Sequence, residues 1–216
     1  MAWALILGVA RRLVEADRFA RSPEYQARGP LGPTELVRLD LTSKTLLIVG
    51  GGRIGFAVAM RSRGWGMDVL YVARSRHWEF ELAPLAAERV TLEEGLPRAD
   101  VVSIHVPLTD QTRKLIDAKA LKLMKRSAIL VNTARGPIVD EQALVDALKA
   151  KKIYGAGLDV FEREPAVHPE LLGMTNVILT PHIGSAAARY RVMMTEMALE
   201  NARVVIAGGQ PPNRVV

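Results

Sequence analysis

Three polar residues stand where short apolar runs give out. Arg135 follows Ala128-Ile-Leu-Val-Asn132, Glu164 comes shortly after Ala156-Gly-Leu-Asp-Val160, and His182 follows Asn176-Val-Ile-Leu-Thr180. A guanidinium offers a planar fork that suits a carboxylate. An imidazole can give up a proton near neutral pH, and a carboxylate beside it favours its charged form. Together they are the parts needed to reduce a carbonyl: a cation to orient it, an acid to protonate its oxygen and an anion to hold that acid. Taken singly, each also reads as ordinary structure: a surface ion pair, a loop carboxylate, a cap or core histidine. His77, His105 and His168 lack the combination of strand end and acid partner, so they rank below His182 as the acid.

Reduction also needs a hydride source, and Gly50-Gly51-Gly52-Arg53-Ile54-Gly55 supplies a place for one. This G-x-G-x-x-G follows an apolar run and opens a helical pattern, the context in which it binds a dinucleotide rather than making a plain turn. Gly50 permits the tight turn, Gly52 lets the backbone approach a pyrophosphate and Gly55 lets helix and strand pack closely, while the helix N-terminus faces the anion. Roughly 20 residues on, an acid normally binds the adenosine ribose. Here that position is Ala73, followed by Arg74, Ser75 and Arg76, and Asp68 lies at the wrong end of the preceding run. Two guanidinium groups and a hydroxyl favour a 2′-phosphate, so the residues point to NADP over NAD. Solvated surface arginines are the plainer alternative.

The elements that position these groups are short. Runs at 45–49, 69–73, 101–105, 128–132, 156–160 and 176–180 are apolar or β-branched, as strands buried on both faces are. Helical patterns lie between most of them, from 53 to about 63 and near 80–87, 117–125, 140–150 and 185–206. The alternation predicts an α/β fold, a doubly wound, mostly parallel sheet. Before it, residues 1–18 read as one helix with Trp3, Leu7 and Val14 on a broad apolar face, and Pro23, Gly29-Pro30 and Gly32-Pro33 interrupt any period over 20–43. The expected organisation is a linking helix over 1–19, an arm over 20–43, a dinucleotide-binding domain over 44–184 and a C-terminal helix and tail over 185–216.

The composition excludes several other classes. The chain has 216 residues, 49% apolar and 24% charged, which fits a packed core rather than disorder. Its net charge of +6 is spread over helix surfaces such as Lys119, Lys122 and Lys149, not gathered on an aromatic stripe, which argues against nucleic acid. The apolar opening is too short to cross a bilayer and lacks a charged leader and a cleavage motif, so no membrane partner is expected. There is no cysteine, which removes thiolate metal sites and fits a cytoplasmic location; no metal is expected.

Five segments in register carry a resemblance: Gly50 to Gly55, His105-Val-Pro-Leu-Thr109, Asn132-Thr-Ala-Arg-Gly136, Gly155 to Pro165 and Thr180-Pro-His-Ile-Gly-Ser185. In order and spacing they resemble the D-2-hydroxyacid dehydrogenases, and Tyr71-Val-Ala-Arg-Ser-Arg76 is most similar to the glyoxylate/hydroxypyruvate reductase branch. The resemblance implies a Rossmann-type sheet, with flanking helices that would belong to a substrate domain, and a small 2-oxo or 2-hydroxy acid as substrate. It gives Arg135 the binding and polarising of the oxo acid, His182 the proton and Glu164 the holding of His182. Asp159 would face the nicotinamide carboxamide, Val106, Pro107, Thr133 and Ala134 would line the nicotinamide end, and Gly184 would complete the cofactor site. It also implies a homodimer. Such enzymes begin with most of a substrate domain before the opening helix, so the expectation is a chain with its catalytic residues and impaired turnover. Ser43 departs from the family, which has glycine there. A nucleotide-sensing dimeric module without turnover resembles the same pattern, as do phosphoglycerate and phosphite dehydrogenases.

Overall fold

The computed structural model describes residues 1–37 and 39–214. Arg38 of the expected arm and the last two residues of the expected tail lie outside it. The chain divides into a unit from Met1 to His182 and a second from Ile183 onward.

The first unit is built on seven strands: β1 Thr45–Val49, β2 Asp68–Val72, β3 Glu88–Arg89, β4 Val101–Ile104, β5 Ile129–Asn132, β6 Gly155–Leu158 and β7 Val177–Leu179. Their order in the sheet is β3-β2-β1-β4-β5-β6-β7, and every pairing is parallel. Parallel neighbours need crossovers, and crossover helices cover both faces. Hence β4, β5 and β6 are buried along their whole length. The helices are α1 Ala2–Ala10, α2 Leu13–Ala20, α3 Pro23–Arg28, α4 Arg53–Ser62, α5 Trp78–Glu81, α6 Leu92–Gly95, α7 Ala118–Leu123 and α8 Glu141–Lys149. Two apolar layers result. One joins Leu47, Val102 and Leu130 to Leu121, Leu144 and Leu148 of α7 and α8. The other joins Leu46, Ile48 and Val131 to α1 and α4 through Leu5, Ile6 and Ala59.

The opening segment is two helices rather than one. α1 buries Leu5, Ile6 and Val9 on the sheet, whereas α2 buries nothing, and between them Arg12 adopts a left-handed φ of 52° while pairing with Glu15. The break falls where the chain leaves the sheet. Leu5 and Ile6 each contribute about 1.5–3 kcal/mol by full burial. α1 comes this close because β6 presents glycines: a Cβ on Gly157 would lie 2.7 Å from Leu5 Cβ, and one on Gly155 would lie 2.9 Å from Val9 Cγ1.

The expected arm contains a short helix, α3, capped by Ser22, whose side chain accepts from the Tyr25 N–H, with Pro23 in the first turn. Ser43 has φ 57°, a left-handed conformation that glycine adopts more readily than serine. The helix expected over 80–87 stops at Glu81, before Pro84, which has no N–H to offer. β3 is two residues long and α6 a single turn closed by a Thr91/Glu94 capping box, both too short for periodicity to reveal.

The second unit contains α9, Ala188–Ile206, which starts three residues later than the pattern predicts. Among the described residues no helix is long and apolar enough to cross a membrane.

Candidate active site

In a parallel sheet the loops leaving the strand C-termini gather at one edge, where ligands bind. Arg135 leaves β5 on a turn latched by Asn132. This side chain, 1% exposed, donates to the Arg135 carbonyl at 2.9 Å and accepts from the Ala134 N–H at 3.0 Å. The next residue, Gly136, presses against the loop after β6: a Cβ there would lie 1.8 Å from the Phe161 carbonyl oxygen. Glu141 and Glu162 then tie the two loops reciprocally, each carboxylate accepting from the other's backbone N–H, at 3.1 and 3.0 Å. Arg135 is therefore presented, exposed, from a rigid base.

Glu164 sits on that second loop. One oxygen accepts from the Phe161 N–H at 3.0 Å and the other from His182 Nδ1 at 2.9 Å. Partial burial pushes its carboxyl upward, but the His182 and Phe161 hydrogen bonds and the charges of His182 and Arg135 outweigh this and hold it below the ordinary carboxylate range. His182, with φ 54°, lies in the left-handed region, its N–H donating to the Thr180 carbonyl at 3.0 Å. A bulky residue there costs roughly 1–2 kcal/mol and persists where the surroundings hold it. Asp159, 1% exposed, accepts from the Thr180 hydroxyl at 2.6 Å, which joins the ends of β6 and β7.

A cleft of ≈490 Å³ runs along the same edge from the glycine turn. Gly50 has φ 116°, and a Cβ would strike the His105 backbone at 2.6 Å; one on Gly55 would lie 2.2 Å from the Gly50 oxygen. Gly52, by contrast, faces open space, as a backbone that receives a pyrophosphate must. Arg53 and Ile54 are exposed in the first turn of α4. The donor set and the open cradle fit a dinucleotide. Arg74, Ser75, Val106 and Pro107 line this cleft. Arg76 turns to the other side of β2, paired with Glu81 at 2.5 Å and stacked 4.1 Å from the Trp78 ring, which separates it from Arg74. Thr133 and Ala134 lie half-buried on the Arg135 turn, and Gly184 belongs to the second unit.

Several supporting residues escape sequence reasoning. Arg89 of β3 donates to the carbonyls of Ala73 (3.0 and 3.2 Å) and Arg74 (2.8 Å), fixing the end of β2. His105 stays neutral, pushed down to about 4 by burial, with Nε2 2.9 Å from the Ser103 hydroxyl. Asn132 was legible as a polar residue ending an apolar strand beside Arg135; Arg89 carries no local signal. Among the described residues no group of acids and histidines could hold a metal.

Comparison with known proteins agrees with this geometry. Residues 3–184 match the model of the D-isomer specific 2-hydroxyacid dehydrogenase NAD-binding domain. A glyoxylate reductase of Thermococcus onnurineus is 49% identical over 216 residues, covering the whole chain and 64% of the relative, so the chain spans about two thirds of that protein's length. A Thermus thermophilus structure superposes with TM-score 0.91 at 46% identity over the whole chain and 66% of its own. An NADPH-dependent glyoxylate/hydroxypyruvate reductase of Sinorhizobium meliloti, solved with NADP and malonate, gives 0.89 at 34% identity, covering the whole chain and 65% of that structure. The chain belongs to the D-isomer specific 2-hydroxyacid dehydrogenase family and carries its NAD-binding domain.

Proposed function

We propose that the protein serves the NADPH-dependent reduction of a small 2-oxo acid, glyoxylate or hydroxypyruvate, to the 2-hydroxy acid. The observation that carries this reading is the 2.9 Å pair of His182 Nδ1 and Glu164, set at the same sheet edge as the glycine cradle. A bound nicotinamide nucleotide supplies the hydride. The chain's own residues supply the rest. Arg135 orients and polarises the oxo acid through its guanidinium. His182, with Nδ1 held by Glu164, presents Nε2 to the carbonyl oxygen and gives it a proton. Glu164 holds that imidazole in orientation through the 2.9 Å contact. Asp159, Thr133, Ala134, Val106 and Pro107 complete the nicotinamide end.

The preference for NADPH rests on Ala73 in place of the ribose-binding acid, with Arg74 and Ser75 lining the cleft. A charge-assisted hydrogen bond to the 2′-phosphate stabilises by about 1.5–3 kcal/mol, so NADPH is expected to bind at least about tenfold more tightly than NADH. The double change Ala73→Asp with Arg74→Ala should reverse the order. Fluorescence titration reads both, and equal affinities in the parent chain would remove the assignment.

A homodimer is part of the same reading. Leu13 and Val14 of α2 and Tyr25 of α3 are exposed apolar side chains on neighbouring helices, and an isologous contact would cover both copies at once. Sedimentation should show a dimer at micromolar concentration; a monomer there sinks the idea.

A further inference from the structure

The corner between the glycine turn and the end of β2 holds one more group that could read a cofactor. Position 51 is the variable residue of G-x-G-x-x-G, and here it is a buried glycine. A Cβ on it would lie 2.9 Å from His77 Cδ2, 3.1 Å from Ala73 Cβ and 3.3 Å from His77 Nε2. The imidazole therefore fills the space a side chain at 51 would take and stands against Ala73, where an acid would otherwise meet the ribose. It is held there. Its backbone N–H donates to the Tyr71 hydroxyl at 3.1 Å, Nδ1 lies 3.2 Å from Glu79, and the ring packs edge-on against Phe80. The side chain is 31% exposed and lines the same cleft as Arg74 and Ser75.

We propose that His77 is a specificity-determining residue, whose imidazole Nε2 bonds the 2′-phosphate and so favours NADP over NAD. The inference rests on the NADPH reading above. Glu79 engages Nδ1 and leaves Nε2 for the phosphate. The other charged groups around the ring are largely spoken for. Arg76 is paired with Glu81, the Tyr71 hydroxyl donates to Glu81, and Arg89 bonds the carbonyls of Ala73 and Arg74. Arg74 shares the cleft as a permanent cation, and the glycine turn contributes backbone alone.

Isothermal titration of the full chain with NADPH and NADH, at constant pH and ionic strength, tests this. His77→Gln should lower the NADPH-to-NADH affinity ratio about tenfold. His77→Lys, which puts a cation at the same corner, should keep the preference. An equal loss for both cofactors would overturn the proposal, since the ring then merely props the turn. A parent chain that never prefers NADPH fails the NADPH reading itself, whereas a preference that His77→Gln leaves untouched fails the histidine alone.

Discussion

Replacing His182 with glutamine is expected to cut kcat for glyoxylate reduction by about 10²–10⁴-fold, the usual contribution of a positioned general acid. The loss should far exceed any change in NADPH affinity, because the proton is needed in the transition state rather than for binding. Glutamine removes the proton donor but also has to accept φ 54°. His182→Asn separates these effects, since asparagine tolerates the left-handed region well. If both variants lose rate alike, the deficit is chemical. If asparagine restores it, the imidazole is a structural residue and the proton comes from elsewhere. Glu164→Gln should lower kcat by a smaller factor than His182→Gln, because it loosens the hold on the ring at the 2.9 Å contact but leaves the proton donor in place. An unchanged kcat would mean that the Phe161 loop and the β7 turn hold the ring without it.

Gly136→Ala is expected to be the most damaging single methyl in the chain. Its Cβ would lie 1.8 Å from the Phe161 oxygen, 1.9 Å from the Phe161 carbonyl carbon and 2.5 Å from the Glu162 nitrogen. All three are backbone atoms, so no rotamer change relieves the overlap and the loops after β5 and β6 must separate. Overpacking of this kind costs about 3 kcal/mol or more. For a domain of this size that lowers Tm by about 6–12 °C. The same movement pulls Arg135 from Glu164, so activity should fall further than stability alone explains. Calorimetry of the variant beside a kcat measurement tests both halves, and a Tm within about 2 °C of the parent would show that the contact yields.

Six of the seven strands were legible because burial on both faces leaves continuous runs such as Thr45–Val49 and Ile129–Asn132. The glycine turn was legible for a different reason: only glycine fits both the φ of Gly50 and the contact at Gly55. What stayed hidden depends on contacts remote in sequence. Periodicity shows an apolar stretch over residues 1–18, but not that the sheet ends beneath Ala10 and α2 leaves it. Likewise Arg74 and Arg76 look equivalent in a string; Glu81 and the Trp78 ring make them different. Ser43 showed the reverse pattern, an oddity of sequence that stands at a left-handed backbone angle, φ 57°, which glycine adopts at less cost. The imidazole of His77 was visible only as one histidine among four, because its importance lies in a neighbour 26 residues earlier, Gly51.

The glycine-lined groove on β6 that receives α1 has a consequence for synthesis. α1 leaves the ribosome about 150 residues before β6 exists, so its buried face, Leu5, Ile6 and Val9, waits for its partner on the order of ten seconds. During that interval the nascent chain holds an apolar helix whose β6-facing side is uncovered, the sort of surface that chaperones bind and that aggregates grow from. β1, β2 and β4 can pair meanwhile, but the half of the sheet bearing Arg135, Glu164 and His182 closes last, when the oldest segment of the domain meets the newest.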